Sequence, residues 1–283
     1  MDDIDRQLLD LMQGAFPLVP APFAALGEEV GLEEDEVLAR VRRLVEDDII
    51  RQIGPIYSSR RLGYQSTLAA FRVAPERLEA VADQVSAHPG VSHNYARDHA
   101  YNLWFTVTLP GEEDLEAEVE RMAAKAGVDD WLYLPSVRTF RLGVRFDLSE
   151  KGSGPTQRQR SRREAGPAPL SEFERDVVRA TQGHLPLVAR PFAPAAAQIG
   201  VSEAELLEIL RRFDREGVMR RYAAVLRHRR AGFRGNGMGC WVVPEERIVA
   251  AGKAAAAFRP VSHCYQRPAF PPRWPYNLVT MVH

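Results

Sequence analysis

"VSHNYARDHAYNLWFTV" occupies residues 91–107, and "VSHCYQRPAFPPRWPYNLVTMVH" occupies residues 261–283. Both carry His-x-Tyr-x-Arg followed by Tyr-Asn-Leu. His263 stands 170 residues after His93, and Tyr276 stands 175 after Tyr101. Upstream, "FPLVPAPFAALGEEVGLEEDEV" from Phe16 recurs as "LPLVARPFAPAAAQIGVSEAEL" from Leu185, and "RRLGY" from Arg60 recurs as "RRAGF" from Arg229. The repeat unit is far longer than that of a solenoid, so the chain reads as a duplicated pair of domains.

Working outward from the motif, the first half reads strand (Ser66 to Val73), helix (Pro75 to Ala87), strand (Val91 to Arg97) and strand (Tyr101 to Leu109). A helix (Glu112 to Ala126) and a strand (Trp131 to Phe140) follow. That order, βαββαβ, is ferredoxin-like. Ahead of it, Ile4, Leu8 and Leu11, then Val37, Val41 and Leu44, lie at helical spacing around a Gly-containing turn, which suggests a winged helix-turn-helix. The fold class is therefore α+β, with both modules duplicated. The second half reaches only the strand that matches Tyr101 to Val107, so its sheet is expected to be incomplete. The expected domains are 1–62 helix-turn-helix, 63–149 ferredoxin-like, 150–168 linker, 169–231 second helix-turn-helix and 232–283 partial ferredoxin-like. The linker lies in "SEKGSGPTQRQRSRREAGPAP", whose composition cannot bury a core.

The chain has 283 residues, 45% of them hydrophobic and 27% charged, as in ordinary globular protein. No apolar run reaches the roughly 18 residues of a membrane span, and the acidic, amphipathic "MDDIDRQLLD" is unlike a signal peptide. Cys240 and Cys264 are the only cysteines, too few for a disulfide scaffold or a Cys-x-x-Cys metal site. These features point to the cytoplasm. A net charge of -1 gives no general attraction to nucleic acid. There is no Gly-x-Gly-x-x-Gly, P-loop or His-Glu-x-x-His pattern.

Residues two apart on a strand share a face, so Val91, His93, Tyr95 and Arg97 are expected to point one way, as are Val261, His263, Tyr265 and Arg267. Arginine clamps a carboxylate by a bidentate pair. Histidine delivers a proton near neutral pH, and tyrosine can orient either one. His93, His263, Tyr95 and Tyr265 are thus candidate catalytic residues, and Arg97 and Arg267 candidate carboxylate ligands. The plainer alternative is a row of half-buried sheet residues, copied by the duplication. Tyr101, Tyr276 and His99 sit beside the trios and are candidate pocket residues. The longer second-half loop, "PAFPPRWP", is read as either a cover for a flat ligand or a rigid surface loop.

"DDIDRQLLDLM", "VGLEEDEVLARVRRLVEDDIIRQIG" and "RLGY" make the chain similar to the Lrp/AsnC regulators. "SHNYARDHAYNLWFTV" resembles the siroheme decarboxylases, which share that architecture, here as two units fused in one chain. The resemblance covers nearly everything but the linker. It implies a carboxy-lyase that converts two acetate side chains of siroheme, at C12 and C18, to methyl groups, for heme d1 or an alternative heme route. It implies His93 and His263 as catalytic. No separate cofactor or protein-bound metal is expected, because the iron belongs to the substrate. Siroheme carries eight carboxylates, so cations such as Arg60 and Arg138 are expected at the rim of its slot. The histidines are expected to act as proton donors or as axial iron ligands. The two halves are expected to pair within the chain or in a homodimer, with no membrane partner. The alternative class is a DNA-binding regulator. Against it stand the acidic starts of the recognition helices, "LEEDE" (32–36) and "VSEAE" (201–205). Arg40, Arg42 and Arg43 speak for it.

Overall fold

The computed structural model describes residues 1–142, 166–227, 237–258 and 260–282. In the first half, α1 (Asp3–Gly14), α2 (Pro22–Val30) and α3 (Glu34–Glu46) lead into β1 (Ile50–Tyr57). Then come β2 (Tyr64–Phe71), α4 (Leu78–Ser86), β3 (Val91–Ala96), β4 (Leu103–Pro110), α5 (Leu115–Ala126), β5 (Trp131–Pro135) and β6 (Arg138–Leu142). The second half runs α6 (Glu172–Thr181), α7 (Ala193–Gln198), α8 (Glu203–Glu216), β7 (Met219–Leu226), β8 (Gly237–Trp241), α9 (Ile248–Ala257), β9 (Val261–Gln266) and β10 (Leu278–Val282). Of the expected linker, residues 150–165 lie outside the described residues, as does Arg229 of the "RRAGF" repeat.

The chain divides into two compact units, each built from both halves. One holds the described residues of Met1–Leu62 and Arg145–Arg234, the two helix-turn-helix modules. Their helices start where the sequence provides caps. Asp2, Ser171 and Ser202 each form a capping box with the residue three positions on, a device worth about 1 kcal/mol per helix. Gly31 and Gly217 end α2 and α8 in the left-handed conformation. Each module supplies one strand to a shared antiparallel ribbon, β1 with β7, with Ile53 opposite Ala224.

The other unit holds the described residues of Gly63–Val144 and Gly235–His283, and contains two four-stranded sheets. The first is ordered β3-β4-β2-β5, the ferredoxin-like arrangement. Its central strand reads "LAAF" without alternation because both faces are covered. Ala69 and Phe71 pack under α4 and α5, where Phe71 meets Phe105 edge-on at 4.8 Å. Leu68 and Ala70 face the other way, into a second apolar cluster with Trp104, Leu132 and Leu134. Met238, Cys240, Phe270, Trp274 and Tyr276 of the second half join that cluster, so the helix-free faces of the two sheets meet in it.

The second sheet is ordered β6-β9-β10-β8. It differs from expectation in one respect. The single strand read over Trp131 to Phe140 is two strands in different sheets. β5 closes the first sheet beside β2, and β6 leaves to pair with the outer edge of β9. Ser136 and Val137, between the two strands, make the break. Thus the second sheet has four strands, the fourth lent by the first half. Phe140 anchors it by packing into the cluster of Ile248, Val261, Cys264 and Leu278.

Candidate active site

β3 and β9 are neighbours of the layer where the sheets meet, and each carries one trio on its helix-free face. Asn94 and Cys264 mark the opposite face. Asn94 donates to the Ala82 carbonyl of α4, and Cys264 packs with Ile248 of α9. His93 and Tyr95 stand opposite Thr106 and Trp104 of β4, while His263 and Tyr265 stand opposite Met281 and Val279 of β10.

Val91 and Val261 do not share that face, contrary to the alternation argument. Both pack into helix-side clusters. The register slips between Val91 and His93, where Val91 pairs with Val107 but His93 with Thr106. It slips in the same way at Val261 and His263, opposite Val282 and Met281. Each slip is a β-bulge whose extra residue is a serine, Ser92 or Ser262.

The bulge explains a contact that a regular strand forbids. Ser92 Oγ lies 3.0 Å from His93 Nδ1, and Ser262 Oγ lies 2.8 Å from His263 Nδ1. Ser262 also donates to the Met281 carbonyl at 3.3 Å. Which of hydroxyl and imidazole donates across the Ser262–His263 contact follows the imidazole tautomer, and either way Nδ1 is the ring nitrogen the serine holds. These serines are candidate site residues that the sequence reading missed. The signal was present as the repeated "VSH", but a serine next to a strand histidine is ordinarily on the other face.

Each trio forms a row. The rings of His93 and Tyr95 are 6.2 Å apart, and those of His263 and Tyr265 are 6.1 Å apart. The arginine closes each row over the phenol, with Cζ 5.2 Å from the Tyr95 ring centroid for Arg97 and 4.8 Å from that of Tyr265 for Arg267. The rows are unequally exposed. Tyr95 retains 47% of its surface and His93 is exposed, whereas His263 and Tyr265 are half-buried and Arg267 retains 9%.

Of the other expected site residues, Tyr101, Tyr276 and His99 gather around Trp274, while Arg138 and Arg60 lie elsewhere. Tyr101 is 2% exposed. Its hydroxyl donates to Asp130 at 2.8 Å, and burial, then that carboxylate, pushes its pKa up to about 12. The reason is Trp274, which the long second-half loop inserts, 1% exposed, against Tyr101, Trp104 and Tyr276. That loop buries its tryptophan in the core while Pro271, Pro272 and Arg273 stay exposed. Tyr276 is half-buried, edge-on to Trp274 at 4.8 Å. His99 stays exposed, stacked 6.2 Å from Tyr101, with Nδ1 accepting the Tyr101 amide. Arg138 pairs opposite Gln266, a position on the α9 side of the sheet rather than the trio side. Arg60 belongs to the helix-turn-helix unit, so it is not gathered with the trios in one unit.

The arginines that favoured a regulator are engaged within their own unit. Arg40 pairs with Asp2 at 2.7 Å, Asp5 at 3.0 Å and Glu36 at 3.1 Å. Arg43 pairs with Asp5 at 2.7 Å, and Arg42 donates to the Leu187 carbonyl at 2.7 Å. Among the described residues no helix is long and apolar enough to cross a membrane.

Comparison with known proteins bears on the same elements. Residues 5–51 and 174–220 match the family model described as "Siroheme decarboxylase NirDL-like HTH domain", and residues 61–141 and 230–283 match "AsnC-like ligand binding domain". The chain is 47% identical over 281 residues to a siroheme decarboxylase of Hydrogenobacter thermophilus, covering 98% of this chain and 82% of that protein. It is 36% identical to the siroheme decarboxylase NirDL subunit of Paracoccus denitrificans, over 100% of this chain and 85% of the relative. Among solved structures it is similar to the siroheme decarboxylase NirDL in co-complex with an iron-uroporphyrin III analogue. That match has a TM-score of 0.73 and 41% identity, and covers 99% of this chain and 82% of the other.

Proposed function

The chain belongs to the siroheme decarboxylase family, and on that premise we propose that it converts the C12 and C18 acetate side chains of siroheme to methyl groups, releasing two molecules of carbon dioxide and giving 12,18-didecarboxysiroheme. The observation that carries the reading is the pair of His-Tyr-Arg rows, one per half, each on the helix-free face of its sheet.

In each step the bond between the acetate methylene and its carboxylate breaks and carbon dioxide leaves. The electron pair stays on the methylene carbon, where the conjugated macrocycle spreads it. A proton then completes the methyl group. His93 or His263, protonated, supplies that proton from Nε2, and the serine holds Nδ1. Tyr95 and Tyr265 sit against the imidazoles and orient the acid or the acetate. Arg97, at the more open row, is placed to take a substrate carboxylate in a bidentate pair. The electron sink is the substrate itself, so the scheme asks no redox partner or second cofactor of the protein, and the iron enters with the substrate.

The deciding experiment is anaerobic incubation of the full chain with siroheme, followed by mass spectrometry. Loss of two carbon dioxide masses is expected. Unchanged siroheme under conditions where it binds would reject the reading.

A further inference from the structure

Arg97 and Arg267 occupy the same place in the repeat, yet their surroundings differ. The Arg267 side chain is closed in. One face lies over Tyr265, Cζ 4.8 Å from the ring centroid. Nη1 donates to the carbonyl oxygen of Leu134, in β5 of the first half. Nε is buried without a hydrogen-bond partner, as is Nε of Arg97, so the two differ in the Nη1 contact and in overall burial rather than at Nε. Among the described residues no carboxylate stands within ion-pair distance of it. Burial draws its pKa down to about 10, so it remains a cation at neutral pH.

A carboxylate clamp needs a fork of N–H groups open to an arriving anion. Arg267 has committed one arm of that fork to Leu134 and one face to Tyr265. What those contacts do hold is the phenol, and through it the place where the two halves join. The adjacent Val137 amide donates to the Gln266 carbonyl at 2.9 Å, at the crossing from β5 to β6. Arg97 makes the same stacking contact, at 5.2 Å, but is only half-buried.

Building on the decarboxylase reading, we propose that Arg267 is a positioning residue of the second row, holding the Tyr265 ring beside His263 and tying β9 to β5, while Arg97 is the arginine that meets a substrate carboxylate. The two halves then divide the work that the repeat would assign equally. The first row contributes charge recognition, and the second a fixed phenol–imidazole pair.

The test has two arms. The first treats the full chain with phenylglyoxal, an arginine reagent, with and without siroheme under anaerobic conditions, and reads modification by peptide mass spectrometry. Arg97 is expected to be modified and to be protected by siroheme, and Arg267 to stay unmodified in both samples. Modification of Arg267 in the unliganded protein, or an Arg97 that siroheme leaves unprotected, overturns the proposal. The second arm measures Arg267→Lys, alone and with Tyr265→Leu. The single variant is expected to bind siroheme within about twofold of wild type and to lose roughly 10- to 100-fold in kcat, as a displaced group does. In the Tyr265→Leu background the lysine should cost nothing further, because the ring it misplaces is gone. A siroheme Kd raised about tenfold or more with kcat intact at saturation makes Arg267 a clamp after all. Should Arg267→Lys fail to fold, the labelling arm decides alone. Wild-type turnover is the separate control: its absence rejects the decarboxylase reading, while the labelling pattern still judges Arg267.

Discussion

A serine and the histidine after it point to opposite faces of a regular strand, and one extra residue in the strand is enough to bring them together. Both halves use that device at Ser92–His93 and Ser262–His263. The consequence is an imidazole whose Nδ1 is held by a neighbouring hydroxyl in each half. His93→Ala and His263→Ala should each leave the fold nearly intact, since both rings lie at a face rather than in a core cluster. Siroheme binding, read from the visible spectrum, should largely survive. Turnover should fall by roughly 10²- to 10⁴-fold, as on losing a general acid. One variant should accumulate a mono-decarboxylated species if each histidine serves its own acetate. Wild-type rates in both variants would remove the proton-donor assignment. Loss of the bound chromophore would favour ligation of the substrate iron instead.

Among the elements, β6 decides how the second sheet is built. It brings five residues from the first half to the edge of β9, with Leu142 opposite His263 and Thr139 opposite Tyr265. Two contacts hold it to α9. Arg141 donates to the Ala256 and Phe258 carbonyls at the end of that helix, at 2.8 and 2.9 Å. Phe140 lies so close over Gly252 that a methyl group added there would overlap its ring. Gly252 is therefore required for proximity, not for an unusual backbone angle. Gly252→Ala should destabilise the protein by about 1–3 kcal/mol, the usual cost of overpacking. Urea denaturation should show this as a lower midpoint. Adding Phe140→Ala should restore part of the loss, giving clear non-additivity. An unchanged midpoint in Gly252→Ala would mean that β6 is held by its strand pairing alone.

At the scale of the whole molecule, each compact unit is a joint product of the two halves, through β1 with β7 in one and β6 with β9 in the other. Residues from about Pro169 onward, expressed alone, would leave β7 without β1 and β9 without β6. Unpaired strand edges invite association. That fragment should aggregate or elute as large species on gel filtration; a soluble, folded monomer would contradict the shared construction. The helix-turn-helix unit yields a second expectation. α3 opens with Glu34, Asp35 and Glu36, and Arg40 and Arg43 are drawn into pairs with acids of their own unit. Binding to DNA should be weak and salt-labile. Sequence-selective binding at physiological salt, with a Kd of about 10⁻⁸ M or tighter, would revive the regulator alternative.

Much of this was legible in the residues alone, because it rests on local regularities. The repeat announced two halves, helical spacing and capping residues marked the helix-turn-helix modules, and period-two alternation placed His93, Tyr95 and Arg97 on one face. His263, Tyr265 and Arg267 followed by the same rule. What alternation could not contain was a bulge, since an inserted serine leaves no mark in a pattern of apolar and polar residues; hence the misplacement of Val91 and Val261. Nor could it tell that Trp131 to Phe140 breaks into two sheets. Each piece has strand-forming residues, and the partner of β6 lies far away in sequence. Tyr101 and Arg267 are each more buried than their counterparts Tyr276 and Arg97, for a related reason. Their roles depend on burial, and burial is set by what arrives from elsewhere in the chain: Trp274 against Tyr101, and the Leu134 carbonyl beside Arg267. Local spacing determined which chemical groups share a face, while tertiary packing alone decided which of them meet solvent, because only packing brings distant segments together to exclude water.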